Sequence, residues 1–213
     1  GREFTVADVD GEWRGRLQVP GGAPRAVSAC TDGALLPENI GAAVQAALLL
    51  GVKFSDSCLS AALTKAAPVG RRQLRRVSGR DYILDVAHNP ASVYKLLEFL
   101  DVNPCNGKTI CVFSVMIDKD VVSIVDAAAE HFDAWFLGDQ PDNSRAARAT
   151  EIAALLEGKG QAMVSISKNL RQALRRAQSV AGERDRLVVF GSFYTVAAVL
   201  PLLNKDNNKY EAR

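Results

Sequence analysis

The spacing of apolar and polar positions predicts two regions with different architectures. The first 30 or so residues alternate in short runs, which predicts antiparallel strands joined by turns. Helical spacing follows in two segments, 37–50 and 55–66, and Ser55 or Asp56 is the predicted N-cap of the second. The run Ala-Pro-Val-Gly at 67–70 then interrupts the pattern. We therefore predict a domain boundary after residue 69, with a hinge close to it.

After this break, predicted strands and helices alternate regularly along the chain. The strands lie at 82–86, 109–115, 134–137, 163–165 and 187–190, and the helices at 90–100, 119–131, 149–157, 169–180 and 194–203. This order predicts an α/β fold with a doubly wound, mainly parallel sheet that helices cover on both faces. Ligands bind beyond the carboxyl ends of the strands in such sheets. The polar residues 205–213 predict a frayed tail.

Composition excludes several classes of function. The 213 residues are 48% hydrophobic, and 26 basic against 24 acidic side chains give a net charge of +2, so no overall field favours a nucleic acid as partner. A basic cluster at 71–76 has no interleaved aromatic residues, and we interpret it as a solvated face. The four cysteines lack zinc-site spacing and predict reduced thiols. With no apolar run near the roughly 20 residues that span a membrane, we expect a cytoplasmic monomer.

The most informative segment is Tyr82-Ile83-Leu84-Asp85-Val86-Ala87-His88-Asn89-Pro90. An apolar strand leads directly into a helix, with Asn89 at the N-cap and Pro90 at the first helical position. The amide groups at the start of this helix favour an anionic ligand beside Asp85 and His88. From the pattern alone, Asp85 either caps a turn or binds the hydroxyls of a ribose, and His88 either makes a turn hydrogen bond or contacts a ligand.

This segment resembles the Asp-x-Ala-His-Asn-Pro signature of the C-terminal domain of the Mur ligase superfamily, in the form found in its folate branch, folylpolyglutamate synthase/dihydrofolate synthase. Four further segments follow the order of the same family. They are Pro37-Glu38-Asn39, Gly70-Arg71, Asp118-Lys119-Asp120 and Gly191-Ser192-Phe193-Tyr194-Thr195-Val196. By this resemblance, residues 1–69 are the closing part of the central ATP-binding domain and residues 70–204 are the C-terminal glutamate-binding domain.

The resemblance implies that ATP contacts Asn39, Arg71 and Asp85. The matching asparagine of the family hydrogen-bonds adenine, although Asn39 at the start of a helix has a simpler interpretation as a cap. The guanidinium of Arg71 suits phosphate oxygens because it donates two parallel bonds. The aspartate that matches Asp85 contacts ATP in the family.

The resemblance further implies that His88 and Ser192 position L-glutamate. Ser192 lies between a strand and a helix, where it is an N-cap, a ligand contact or both. Asn89, Lys119 and Arg145 are additional candidates for the lining of the cleft. Acidic residues beside Lys119 have an alternative explanation, since a helix dipole alone favours them at a helix start.

No Gly-x-x-x-x-Gly-Lys-Ser/Thr loop occurs in the chain. The family carries this loop and its Mg²⁺ ligands upstream, so we expect a C-terminal part that is inactive alone and contains no metal site. The complete enzyme would phosphorylate a carboxylate of dihydropteroate or folate with Mg-ATP, and glutamate would then displace the phosphate. A ligase for cell-wall peptides and a non-catalytic nucleotide-binding module are the alternatives. Residues that bind the pterin lie upstream, so the sequence does not choose between the two folate activities.

Overall fold

The computed structural model describes residues 4–9, 11–31, 35–66, 69–161 and 163–211, with side chains through residue 205. The chain divides into two compact units, Gly1–Arg71 and Arg72–Arg213, which we call the N-terminal and C-terminal units. Residues 67 and 68, which include part of the predicted hinge, lie outside the described residues. No helix in the described part of the chain is long and apolar enough to cross a membrane.

The N-terminal unit combines a small antiparallel sheet with two helices. Its strands are β1 (Thr5–Val9), β2 (Glu12–Leu17) and β3 (Arg25–Cys30), and its helices are α1 (Pro37–Leu49) and α2 (Asp56–Lys65). Trp13 is fully buried in the core and its indole N–H donates to the carbonyl of Pro37 at 3.0 Å. Ser55 caps α2 by accepting from the amide of Cys58 at 3.2 Å, which confirms one of the two predicted caps.

A six-stranded sheet forms the centre of the C-terminal unit. In chain order its strands are β4 (Gln73–Val77), β5 (Arg80–Leu84), β6 (Thr109–Phe113), β7 (Ala134–Gly138), β8 (Val164–Ser167) and β9 (Arg186–Phe190). Their spatial order is β4-β5-β9-β6-β7-β8, and only the pairing of β4 with β5 is antiparallel. The last strand along the chain therefore lies between β5 and β6.

Helices cover both faces of this sheet and bury two hydrophobic clusters. On one face lie α3 (Pro90–Val102), α4 (Val121–Ala128) and α5 (Ala149–Glu157), and on the other lie α6 (Leu170–Val180) and α7 (Phe193–Glu211). The central strands are buried along their whole length, as expected for parallel strands with helices on both sides. The predicted doubly wound, mainly parallel α/β sheet is thus confirmed.

Several sequence predictions differ from the structure at the ends and edges. The basic cluster at 71–76 is not only a solvated face, because most of it forms the edge strand β4. Strand β3 lies within the region predicted to form antiparallel strands, but no individual strand was predicted at its position. The last helix does not end near residue 203 but continues through the polar segment to Glu211. The helix predicted from residue 119 begins at Val121, since Asp120 is its N-cap.

Candidate active site at the carboxyl edge of the sheet

The turn between β5 and α3 is organised by the carboxylate of Asp85. Its Oδ1 accepts from the backbone N–H of Ala87 at 2.7 Å, and its Oδ2 accepts from the backbone N–H of Arg72 at 2.8 Å. The residue is only 9% exposed. The interpretation of Asp85 as a turn cap is therefore correct. A carboxylate only accepts hydrogen bonds when it is ionised, which is the chemistry that the predicted contact with ribose hydroxyls requires.

The segment that precedes β4 has an unusual backbone conformation beside Asp85. Gly70 and Arg72 both lie in the left-handed region, with φ of 74° and 46°. Arg72 is not a glycine, so this conformation costs of order 1 kcal/mol and is maintained by its surroundings, including the bond to Asp85. The predicted ATP ligand Arg71 lies between these two residues and is exposed.

His88 and Asn89 form the start of α3. Asn89 is the N-cap, and together with Ser92 it makes the reciprocal bonds of a capping box, so its side chain has a structural function. The Nδ1 of His88 lies 2.8 Å from the carbonyl oxygen of Val86. A carbonyl only accepts, so Nδ1 carries the proton and Nε2 is the ring nitrogen left for a ligand. His88 is partly exposed.

Ser192 begins α7 and belongs to a buried hydroxyl network. Its Oγ accepts from the backbone N–H of Thr195 at 3.0 Å and lies 2.8 Å from the hydroxyl of the same residue. The Thr195 hydroxyl donates its own proton to the carbonyl of Ser114 at 2.6 Å. The Ser192 proton therefore goes to Thr195, and Ser192 can only accept a further bond. The predicted N-cap is present, with Ser192 4% exposed.

Gly191 allows the end of β9 to approach β6 closely. Its φ of 117° is unfavourable for other residues, and a Cβ at this position would lie 2.3 Å from the carbonyl oxygen of Ser114. The close approach brings Ser192 and Thr195 against the end of β6. Asp85 is also close in the sheet, because β5 pairs with β9 and the amide of Asp85 donates to Val189 at 2.9 Å.

The two turns that carry the predicted glutamate ligands lie side by side. The ring of His88 is 6.4 Å from that of Phe193, the residue after Ser192. Phe193 is 55% exposed and His88 is partly exposed, so this part of the edge is open to solvent. The structure therefore places Asp85, His88 and Ser192 at one edge of the C-terminal unit.

Lys119 and Arg145 meet at a shared carboxylate beyond β6. Asp118 accepts from Lys119 at 2.9 Å and from Arg145 at 3.0 Å, and these bonds, with that from Lys119 contributing most, lower the pKa of Asp118. The loop that carries Arg145 is attached to this edge by a bridge between Met116 and Ala146. Asp120 accepts from the amide of Ser123 as a helix cap.

Two polar residues at this edge were missed by the sequence analysis. Gln140 donates to the hydroxyl of the fully buried Ser114 at 2.9 Å and so connects the ends of β7 and β6. Gln140 lies three residues after the predicted strand 134–137, and Ser114 lies inside the predicted strand 109–115, so neither position indicates a polar contact. An open cleft of about 770 Å³ lies beside them, lined by part of the loop after β7 and by Asn169, Arg171 and Tyr194.

Asn39 belongs to the N-terminal unit, where it lies exposed in the first turn of α1. Its interpretation as a cap is wrong, because the N-cap is Leu36 and no side chain caps this helix. Within the described residues, no group of three or more His, Cys, Asp or Glu side chains is arranged to hold a metal ion. The position of the Mg²⁺ ligands in a preceding domain stays a prediction.

Comparison with known protein families identifies the C-terminal unit. Residues 70–193 match the family described as Mur ligase, glutamate ligase domain. The chain belongs to the Mur ligase family. In this Mur ligase chain, the matched region includes the Asp85 turn and ends at Phe193, so both turns of the edge lie within it.

Individual relatives come from the folate branch of the Mur ligases. The dihydrofolate synthase/folylpolyglutamate synthase of Escherichia coli is 29% identical over 171 residues, which are 80% of this chain and 39% of that protein. The chain thus spans about two fifths of the length of this relative. The fold also matches the structure of the Escherichia coli FolC protein in complex with DHPP and ADP, with a TM-score of 0.83 at 23% identity, covering 96% of this chain and 47% of that one.

A third comparison includes a bound amino acid. A bifunctional folylpolyglutamate synthase/dihydrofolate synthase, crystallised with Mn, AMPPNP and L-glutamate bound, is 26% identical with a TM-score of 0.77. The match covers 94% of this chain and 46% of that chain.

Proposed function

We propose that this chain is the glutamate-presenting, nucleotide-closing part of an ATP-dependent ligase that joins L-glutamate to dihydropteroate or to folate. The main support is the position of the His88 and Ser192 turns, side by side at one edge of a Mur ligase glutamate ligase domain. A relative with the same fold is known with AMPPNP and L-glutamate bound.

In the proposed reaction, ATP transfers its γ-phosphoryl group to a substrate carboxylate and leaves as ADP. The α-ammonium group of glutamate loses a proton, and the free amine then attacks the acyl carbon. The C–N bond forms as the C–O bond to phosphate breaks, phosphate leaves, and the nitrogen loses a second proton. The chain contributes by holding glutamate and by excluding water, which would otherwise hydrolyse the acyl phosphate. Mg²⁺, bound elsewhere in the enzyme, would neutralise the phosphate oxygens.

The hydrogen bonds of the two turns suit the ammonium end of glutamate. Ser192 Oγ has only acceptor capacity left, because its proton is used by Thr195. In neutral His88, Nε2 is likewise an acceptor, since Nδ1 donates to Val86. An α-ammonium group donates three bonds, so two acceptors on adjacent turns would orient it. The carboxylates of glutamate would then face the amide groups at the helix starts.

The nucleotide would be contacted by Asp85 and Arg71 together with Asn39. The carboxylate of Asp85, which accepts from two backbone amides, would also accept from the hydroxyls of a ribose. Arg71 directly precedes Arg72, whose left-handed backbone conformation sets the local path of the chain next to Arg71. Arg71→Ala in the intact protein should weaken the free energy of ATP binding by about 1.5 to 3 kcal/mol, the range for a charge-assisted hydrogen bond. Unchanged ATP affinity in equilibrium binding would remove Arg71 from the site.

Incorporation of labelled glutamate is the decisive assay. The intact protein is incubated with ATP, L-glutamate, and dihydropteroate or tetrahydrofolate, and we expect ADP to appear in equal amount with a glutamylated product. Glutamate incorporation into a muramyl peptide instead would assign the protein to cell-wall synthesis. ATP binding without turnover on any of these acceptors would contradict the ligase proposal.

A further inference from the structure

A second cavity lies at the opposite edge of the sheet from the proposed active site. It has a volume of about 540 Å³ and is formed by β4, the start of β5, the loop 103–106 and the residues that lead into β9. The strands between the two edges have five residues each, so the edges are roughly 16 Å apart. The cavity lies wholly within the C-terminal unit and contains none of the residues assigned to ATP or glutamate.

The lining of this cavity is predominantly cationic. Asp81 and Glu183 are its two acidic residues, and Asp81 pairs at 3.3 Å with Arg76, which also lines the cavity. Four arginines line it: Arg75, Arg76, Arg184 and Arg186. Since the chain as a whole is nearly neutral, this excess of positive charge is local.

Arg186 is the central residue of the cavity because it is buried. It is 9% exposed, and its Nε donates to the hydroxyl of Thr109 at 3.0 Å. Its Nη1 donates to the carbonyls of Leu100 and Asn103 at the end of α3. The negative end of the α3 dipole compensates part of its charge. In the described part of the chain, however, no carboxylate pairs with it and no acceptor bonds its Nη2.

The loop that carries two of these arginines is built rigidly. Asp185, between Arg184 and Arg186, accepts from the backbone amides of Gly182 at 2.8 Å and Lys108 at 2.7 Å. The backbone that carries Arg184 and Arg186 is therefore held in position by the carboxylate between them. A pre-positioned set of donors binds an anion without the cost of ordering a loop.

Part of the remaining lining is apolar. Leu74 is 61% exposed and Pro104 is also exposed, whereas Tyr82 and Ile83 lie behind them with almost no exposed surface. Asn103 and Asn106 add polar groups. A hydrated inorganic ion gains nothing from such a surface, whereas a ligand with an apolar body buries it. The combination of a cationic end and an apolar wall fits small-molecule sites of this volume, which are mostly apolar with a few polar anchors.

We propose that this cavity binds an organic anion whose phosphate or carboxylate group pairs with Arg186 and Arg184 while its apolar body packs against the exposed side chains of Leu74 and Pro104. The anion would supply the missing counter-charge of the buried guanidinium, since a buried cation is otherwise costly. The site is separate from the ligase chemistry and does not depend on the proposed function.

The test is a titration of the isotope-labelled 213-residue chain with phenyl phosphate, followed by amide correlation NMR. We expect saturable shifts for residues 74–76, 103–106 and 183–186, and none at 85–89 or 191–195. Inorganic phosphate should bind more weakly than phenyl phosphate, and phenol should cause no saturable shifts. Titration with benzoate shows whether a carboxylate group binds as well as a phosphate group. Arg184→Gln should weaken phenyl phosphate about tenfold, as expected for a lost charge-assisted bond.

The matched control is Arg175→Gln, which removes another exposed arginine, on α6 and outside the cavity. It should change the affinity by less than about twofold, because distant exposed charges are screened. Arg186→Gln should abolish binding of phenyl phosphate. If this variant does not fold, the affinity of Arg184→Gln compared with that of Arg175→Gln tests the proposal. Shifts confined to 85–89 and 191–195, no saturable shifts, or equal weakening by the 175 and 184 variants would overturn the proposal.

Discussion

Replacing Asp85 by asparagine tests whether its carboxylate holds the turn together. The two carboxylate oxygens accept from two different backbone amides, those of Ala87 and Arg72. An asparagine has one acceptor oxygen, so its NH₂ group would face the second amide. One charge-assisted bond is lost, at about 1.5 to 3 kcal/mol, and a buried N–H is left unsatisfied, at about 1 to 3 kcal/mol.

Because the two costs overlap, we expect Asp85→Asn to lower the free energy of unfolding of the C-terminal unit by about 3 kcal/mol. Hydrogen exchange of the β9 amides in increasing urea measures this quantity separately from the N-terminal unit, since β9 is the central strand. The control is Asp81→Asn, whose exposed ion pair with Arg76 should contribute no more than about 1 kcal/mol.

A variant within about 0.5 kcal/mol of the wild type, the ordinary effect of a surface substitution, would refute the structural role of Asp85. If the destabilisation is found, ATP affinities of Asp85 variants will need correction for the fraction of folded protein.

Three further substitutions test other parts of the edge. Ser192→Ala in the intact protein should raise the glutamate concentration required for turnover, leave ATP affinity nearly intact, and lower stability by about 1 kcal/mol through the lost cap. Gly191→Ala should be strongly destabilising in thermal unfolding, because the new Cβ would lie 2.3 Å from a backbone oxygen at a φ of 117°. The pKa of Asp118 is lowered in the folded state by its ion pairs. These pairs therefore stabilise the fold at pH values above the ordinary aspartate pKa, and this stabilisation is lost as the pH falls through the lowered pKa. Arg145→Gln should raise this pKa toward the ordinary value in an NMR titration of the side-chain carboxyl.

Each of these has a contrasting control. Ser55→Ala removes an equivalent cap from α2 and should not alter the glutamate requirement, and equal loss of ATP and glutamate affinity in the Ser192 variant would refute its assignment. Gly160 has a φ of 78° but nothing within 4 Å of a new Cβ, so its alanine variant should cost about 1 kcal/mol, and a similar cost at Gly191 would contradict the close approach. If Arg145→Gln leaves the Asp118 titration unchanged, the observed pair does not form in solution.

Sequence alone predicted the central sheet because its strands are short apolar runs between amphipathic helices. The caps at Asn89 and Ser192 were also predictable, because asparagine and serine are preferred immediately before the first residue of a helix. Strand β4 was missed because four of the residues at 71–76 are arginines, and only burial of Val77 and pairing with β5 give it its structure. Edge strands with charged side chains are common, but their sequence pattern resembles that of a loop.

The contacts within the candidate site were less predictable, because they join distant positions in the chain. Asp85 bonds the amide of Arg72 across 13 residues, and the hydroxyl of Thr195 reaches the carbonyl of Ser114 across 81. The first contact extends the pairing of β5 with β4, a strand that was not predicted, and the second requires β9 to lie beside β6, which a single sequence does not show. The sequence identified the residue types at the edge, whereas the direction of each hydrogen bond required the structure.

The central place of the final strand bears on how the protein is made. Until residues 186–190 leave the ribosome, β5 and β6 have no neighbour on their facing sides, and each offers a row of unsatisfied amides to other chains. A nascent polypeptide of this kind is prone to aggregation until β9 has been synthesised. Premature termination before residue 186 should therefore yield insoluble product instead of a smaller folded domain.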